Sequence, residues 1–384
     1  VKILIIRLSS IGDCVLSSPV LEALRERYPD AHITWAVQSK SVPVVQGLPG
    51  LDEVLLWNNR SREHSLLAAL KETWRGKFDV LLDLHGLDKA ALFALASRAQ
   101  RRISGTSARF LANRMSNERV IEDEFMHARL FYLRRASLLD IAPDAATRYY
   151  PRIPLTDGHR AGAQKFLQEN GITATHRVLG LNLGASETEK QWPPERFAEM
   201  SKTLLDEDPS LRTVVFGAPA DKWLWKRFSA EFERLTHHQS EYSSRVVSAV
   251  GGLSLLEVAA VAERSAAFVS ADTGPMHIAA AAGAPLLALF GPSDTHLTSP
   301  VHKPGNAPVK ILDARDITGA WPASMNVHSV SRVLEEVRAL LKYSRSVESR
   351  ATPALSPNDS PNNEALEPAR NGDVTKADVH AHAA

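Results

Sequence analysis

Two open α/β sheets in tandem are predicted by three features of the sequence. Strand-like apolar runs alternate with helical segments, and the alternation restarts after a proline-bearing connector. The chain of 384 residues, 44% hydrophobic and 23% charged, is long enough to bury two cores. Strands that alternate with helices pair in parallel and form open sheets with helices on their faces.

The first half opens on the strand KILII at 2–6, followed by an amphipathic segment at 16–28 and the strand HITWAV at 32–37. DEVLLW at 52–57, a helix at 65–74, FDVLLDL at 78–84 and an Ala/Leu-rich helix after Lys89 continue the alternation. A connector at 141–157 carries Pro143, Pro151 and Pro154 and places a domain boundary near 150–172. The second half repeats the pattern with RVLGLNL at 177–183, a helix at 194–205, RTVVFG at 212–217 and a helix at 253–264. It ends with AAFVS at 266–270 and LLALF at 286–290. The predicted domains are 1–155 and 173–328, and a final helix at 329–343 has apolar residues at helical spacing. Residues 345–384 hold hardly any large apolar side chain, so they are expected to be disordered and are excluded from the fold.

Composition excludes several function classes. The single Cys14 leaves no disulfide framework and no cysteine-rich zinc site. Forty-five basic against 44 acidic residues create no whole-protein field for nucleic acid, so nucleic acid is not an expected partner. No apolar run reaches the roughly 20 residues of a membrane span, and the chain opens on a strand rather than a signal peptide. A cytoplasmic protein is expected, and no transmembrane segment.

Open parallel sheets bind ligands at the carboxyl ends of their strands, so the loops that follow strands hold the candidate chemistry. Arg7-Leu8-Ser9-Ser10-Ile11-Gly12-Asp13 runs from the first strand into a helix, and Gly12 lets the backbone turn and approach a ligand. Asp13 then either caps the helix or accepts a proton from an attacking hydroxyl; spacing leaves both readings open. Ser270-Ala271-Asp272-Thr273-Gly274-Pro275-Met276-His277 leads from a strand into a small-residue helix whose free N–H groups suit a diphosphate. An ordinary capped helix is the alternative. Gly184-Ala185-Ser186 and Lys190-Gln191-Trp192-Pro193 form a third loop, in which Lys190 is either solvated or neutralises phosphate.

In this order RLSSIGD, GAS with KQWP, GGLSLLEVAA at 251–260 and ADTGPMHIAAAAGAPLLALFGPSD at 271–294 resemble the ADP-heptose:lipopolysaccharide heptosyltransferases, glycosyltransferase family nine, over about residues 1–342. The resemblance implies a GT-B fold, with two Rossmann-like domains facing a central cleft, an ADP-activated heptose donor and inversion at the anomeric carbon. It implies Asp13 as general base, and Lys190, Asp272, Thr273, Gly274, His277, Gly184 and Ser186 as donor-binding residues. Ser10, Arg60, Arg62 and Lys89 are the expected acceptor contacts, and Arg98, Arg101, Arg102, Arg109 and Arg114 add positive charge suited to an acceptor bearing carboxylates and phosphates. His85 either lines the cleft or bonds a turn. The sequence departs from the family pattern at 313–326, which lacks a cysteine that some relatives carry, and after residue 344.

The expected function is transfer of heptose from ADP-L-glycero-D-manno-heptose to the lipid A-Kdo inner core, on the inner face of the inner membrane. The alternatives are transfer of another nucleotide-activated sugar, or a noncatalytic nucleotide-binding protein of the same fold. The ADP-sugar is a co-substrate and no cofactor is expected. Asp206-Glu207-Asp208 matches the D-x-D pattern of metal-dependent transferases but lies where a helix ends and the next strand begins. His237-His238 with Glu241 reads as a solvated loop, so no metal site is expected.

Overall fold

The computed structural model describes residues 1–58, 60–123, 125–142 and 144–351; Pro143 and residues 352–384, most of the expected tail, lie outside the described residues. Residues 1–345 pack as one compact unit containing two six-stranded sheets.

The first sheet comprises β1 (Lys2–Ile6), β2 (His32–Gln38), β3 (Glu53–Trp57), β4 (Val80–Asp83), β5 (Arg101–Gly105) and β6 (Glu118–Val120), in the order β3-β2-β1-β4-β5-β6. The second comprises β7 (Arg177–Asn182), β8 (Leu211–Phe216), β9 (Val246–Ser248), β10 (Ala267–Ala271), β11 (Leu286–Phe290) and β12 (Val309–Asp313), in the order β12-β11-β10-β7-β8-β9. Every pairing is parallel, and both sheets follow the same winding.

The α-helices longer than a single turn are α1 (Ile11–Arg27), α2 (Leu66–Gly76), α3 (Asp88–Ser97), α4 (Phe110–Met115) and α5 (Ala128–Ala136) among the described residues of the first half. The second half has α6 (Asp157–Glu169), α7 (Pro194–Glu207), α8 (Lys222–Leu235), α9 (Leu255–Arg264), α10 (Gly274–Ala281) and α11 (Val330–Ala351). Their starts follow local chemistry. Ser65 caps α2 by accepting from the Ala68 N–H, Ser254 and Glu257 form a reciprocal box at α9, and Pro194 opens α7.

The helix α1 differs from the amphipathic segment expected at 16–28. It starts five residues earlier and is buried on nearly all sides from Gly12 to Leu24, because one side packs on the first sheet and others meet α5 and α10. Ala259 and Ile278 of the second half join the first half's core. Pro19 sits inside this helix and cannot donate to the Val15 carbonyl; the Ser18 hydroxyl donates to that carbonyl instead, at 2.7 Å. On the other face of the first sheet, α2 and α3 cover Leu4, Ile6 and Leu81, against which Phe93 of α3 packs.

Two expectations are corrected. The last helix does not stop at residue 343 but continues to Ala351, so order extends past the expected start of the tail at 345. Arg101 and Arg102 are not free acceptor ligands: they begin β5 at the amino end of the sheet. Arg101 forms a two-pronged pair with Glu118 and also bonds the Leu138 carbonyl, while Arg102 bonds the carbonyls of Met115 and Ala99.

The amino edge of the second sheet is closed by charge. Arg177 donates to Asp208 at 2.8 Å and to the Leu341 carbonyl at 2.6 Å, and Arg345 reaches the same carboxylate at 2.7 Å. Arg177 and Asp208 are both 9% exposed, whereas Arg345 is 60% exposed. Removing one member of a buried pair leaves an uncompensated charge and costs about 3–5 kcal/mol, while an exposed pair contributes about 0–1 kcal/mol. Arg177→Ala should therefore lower stability by several-fold more than Arg345→Ala in urea titrations; equal losses would show that the buried pair does not anchor α11.

Candidate active site

In both sheets the first strand lies between neighbours whose connections leave in opposite directions, and at such a switch point open parallel sheets form a crevice beyond the strand's carboxyl end. At β1 that crevice holds Arg7, Ser10 and Asp13; at β7 it holds Asn182, Gly184 and, from β10, Asp272 to His277. The two crevices meet. A Cβ added to Gly12 would lie 2.5 Å from His277 Cδ2, and one added to Gly274 would lie 2.9 Å from Ile11 Cγ2. The amino ends of α1 and α10 thus touch, and only glycine allows it at these two positions.

Asp13 is the third residue of α1 and does cap it. Its Oδ2 accepts from the Ser10 N–H at 3.0 Å and the Ser10 hydroxyl at 2.9 Å. The same oxygen lies 2.5 Å from Arg7 Nη2, and Oδ1 accepts from the Tyr132 hydroxyl at 2.7 Å. Burial pushes the Asp13 carboxyl up, but Arg7 and the hydrogen bonds from Tyr132 and Ser10 outweigh it and bring its pKa down to about 2. Asp13 is therefore a fixed anion at neutral pH, still 29% exposed and reachable.

A buried frame supports this cluster. Arg7 donates to the Leu84 carbonyl and stacks over the Tyr132 ring at 5.0 Å. Asp83 accepts from the N–H groups of His85 and Gly86, both at 2.8 Å, and fixes the turn after β4. Arg135 donates to the Asp83 carbonyl and pairs with the buried Glu122 at 2.6 Å. His85 lines this site as well as closing the turn: burial, together with the nearby cations Arg7 and Lys89, pushes its pKa down to about 4.

In the second half Lys190 Nζ lies 3.1 Å from Asp272 Oδ2. Thr273 is the extended residue before α10 and makes no cap bond to that helix; its hydroxyl faces Asn182 and Ser270 instead, and Asn182 also donates to the Gly184 carbonyl at 2.9 Å. The leading N–H groups of α10 are therefore not used by a side-chain cap. Gly184 is required by a close approach, since a Cβ there would collide with Asp221 Oδ2. His277 is buried, its Nδ1 has no partner among the described residues, and burial pushes its pKa down to about 4 against the pull of Asp272 and Asp13.

The sequence-predicted residues thus fall into three groups. Asp13, Ser10, Lys190, Asp272, Thr273, Gly274, His277 and Gly184 come together. Ser186 is exposed in the loop after Gly184, and Lys89 extends over the Trp57 ring at 5.3 Å. Arg60 and Arg62 are exposed beyond β3, two strands from β1, and Arg98 ends α3 at the opposite edge. Sequence reasoning missed Tyr132, Arg135, Asp83 and Asn182. Tyr132 lies 119 residues from Asp13, and no local pattern marks it. Asp206 bonds Lys202 and Tyr242, Glu207 pairs with Arg338, and Asp208 is held as above, so this D-x-D segment is bound up in structural contacts.

The model described as glycosyltransferase family 9 (heptosyltransferase) matches residues 67–312. The chain belongs to that family. This glycosyltransferase is 26% identical over 362 residues to lipopolysaccharide heptosyltransferase 2 of Escherichia coli K12, covering 88% of the chain and 98% of the relative. It shares a fold with the E. coli ADP-heptose lps heptosyltransferase II structure, with TM-score 0.72, 24% identity, and coverage of 90% and 100% of the two chains. E. coli heptosyltransferase WaaC with ADP matches with TM-score 0.65 and 21% identity over 88% and 100%. The two sheets are those of a GT-B glycosyltransferase, and the family's general activity is heptose transfer in lipopolysaccharide synthesis.

His277 gives this glycosyltransferase a pH dependence of known sign. Its folded pKa of about 4 lies below the ordinary 6.5, so between those values the unfolded chain binds the extra proton and stability falls as pH falls. A gap of one pH unit between folded and unfolded pKa values corresponds to about 1.4 kcal/mol of stability. His277→Asn should flatten the loss of unfolding free energy between pH 7 and pH 5, as measured by urea titration, whatever its effect at neutral pH. Parallel slopes for the two proteins would contradict the burial of a neutral imidazole.

Proposed function

We propose that the protein transfers heptose from ADP-L-glycero-D-manno-heptose to the Kdo-lipid A inner core with inversion, at the cytoplasmic face of the inner membrane. One observation carries this reading: the Asp13 carboxylate on α1 and the uncapped start of α10 are brought together by the contacts at Gly12 and Gly274. An acceptor hydroxyl beside Asp13 and a diphosphate on α10 then stand on opposite sides of one anomeric carbon. The relative bound to ADP supports a nucleotide diphosphate as the ligand class.

In this mechanism the hydroxyl attacks the anomeric carbon, its proton passes to Asp13, and the bond to the diphosphate breaks. Lys190 leaves Asp272 to meet the diphosphate, whose growing charge the N–H groups after Thr273 also stabilise. Asp272, as an ionised carboxylate, accepts only, and suits a hydroxyl of the donor rather than its phosphates. With a pKa near 2, Asp13 is a weak base in the resting site. Its proton affinity rises when an anionic group of the acceptor draws Arg7 away.

Asp13→Asn should retain ADP binding and lower turnover by roughly 10²- to 10⁴-fold, read by mass analysis of Kdo-lipid A incubated with ADP-heptose. Near-normal turnover sinks the assignment of the base. Because Asp13 in the resting site stays ionised far below neutrality, its protonation should produce no acid limb in kcat/KM between pH 7 and pH 5.

Lys190→Ala should weaken ADP about tenfold to a hundredfold, the loss of one charge-assisted contact, and leave adenosine binding unchanged. Turnover should persist in EDTA, since the helix start and Lys190 supply the positive charge. Equal losses for ADP and adenosine, or restoration of EDTA-abolished turnover by magnesium, would overturn this account of the leaving group.

A further inference from the structure

The layer of α2, α3 and α4 presents its apolar residues outward. On α2, Leu67 and Trp74 lie seven positions apart on one stripe; on α3, Leu92 and Leu95 lie three apart; on α4, Phe110 and Leu111 open the helix. These six side chains are 41–79% exposed, although their helices already bury Ala69, Phe93 and Ala112 inward. The three helices are neighbours, so the stripes form one face. Contiguous apolar surface of this kind marks an interaction site.

The charge around it is predominantly positive. Lys71, Arg75, Lys77, Arg98, Arg109 and Arg114 are exposed on these helices and their caps, and no ion pair ties them to an acid among the described residues. Glu72 and Asp88 are the acids of the three helices. A second copy of the chain would bring the same cations face to face, which is repulsive. Exposed Trp, Leu and Phe interleaved with Lys and Arg fit the boundary between acyl chains and anionic headgroups.

We propose that the outer face of α2, α3 and α4 docks on an anionic lipid surface. The face adjoins the active site: the Arg109 N–H donates to the Gly86 carbonyl at 2.8 Å, in the turn that places His85 near Arg7 and Asp13. Docking there sets the mouth of the first crevice beside the bilayer, where a lipid-borne acceptor presents its sugars. This last step rests on the proposed transfer to Kdo-lipid A; the docking itself does not.

The test is flotation of the full chain with vesicles of phosphatidylcholine, alone or mixed with phosphatidylglycerol. The wild type should float with the mixed vesicles and be released by salt. Phe110→Ser with Leu111→Ser, and separately Lys71→Glu with Arg75→Glu, should each weaken binding about tenfold or more while melting temperature and ADP affinity stay unchanged. The same variants should lose transfer to vesicle-embedded acceptor and keep transfer to a deacylated, soluble one. No flotation of the wild type, equal flotation of wild type and both variants, or a dimer in sedimentation that these substitutions dissolve would overturn the proposal. Flotation that follows the expected pattern in a protein that transfers no heptose would uphold the docking face and refute the activity.

Discussion

The contact between the amino ends of α1 and α10 is the constraint on which the rest of the site depends. Two helices can bring their amino ends this close only where side chains are absent, and Gly12 and Gly274 provide that absence against His277 and Ile11. Two positive helix ends at close range repel each other. Asp13 and Asp272 sit in the first turn of one helix and just before the other, so their charge offsets this repulsion when no substrate is present. The pair between Lys190 and Asp272 is part of the same balance, and in the proposed mechanism an incoming diphosphate competes for both the lysine and the helix end.

Fixing Asp13 so tightly has a chemical consequence. Four donors on two oxygens give the carboxylate one orientation and make it a poor base at the same time. Position and basicity are set by the same contacts, and Arg7 is the member that does most to hold the pKa down. Arg7 in turn is held by the Leu84 carbonyl and Tyr132, and Tyr132 sits on α5 beside Arg135, which is bonded to Asp83 and Glu122. The proposed base is thus wired to the turn after β4, beside the point where the first sheet changes winding direction.

Much of this was legible in the sequence, for a local reason. A strand, a small-residue loop and a helix start form a contiguous unit, so Asp13, Lys190 and the run from Asp272 to His277 could be read from neighbours alone. What supports them is not contiguous. Tyr132 and Arg135 reach the site from α5, and neither the spacing nor the composition of that segment differs from an ordinary basic helix. The misread elements share a cause as well. α1 looks one-sided when scored for a single buried face, but it packs against both halves, and Arg101 and Arg102 resemble a surface cluster because β5 begins with charged residues whose partners, Glu118 and the carbonyls of Met115 and Ala99, come from later or from the preceding turn.

The fate of the Asp206-Glu207-Asp208 motif shows how strand direction sets the surroundings of a carboxylate. Asp206, Glu207 and Asp208 stand at the amino edge of the second sheet, where helices end and carbonyl groups point outward. Cations are drawn to that edge, and Arg177, Arg338, Arg345 and Lys202 close every one of these carboxylates into a structural pair. At the carboxyl edge the helices begin, and the field there favours anions. A carboxylate placed there is stabilised by the helix start as well as by its cation, Arg7 for Asp13 and Lys190 for Asp272. The same side-chain type therefore becomes a clamp at one edge and, in the proposed mechanism, a working group at the other, and the difference lies in the backbone that surrounds it rather than in the motif.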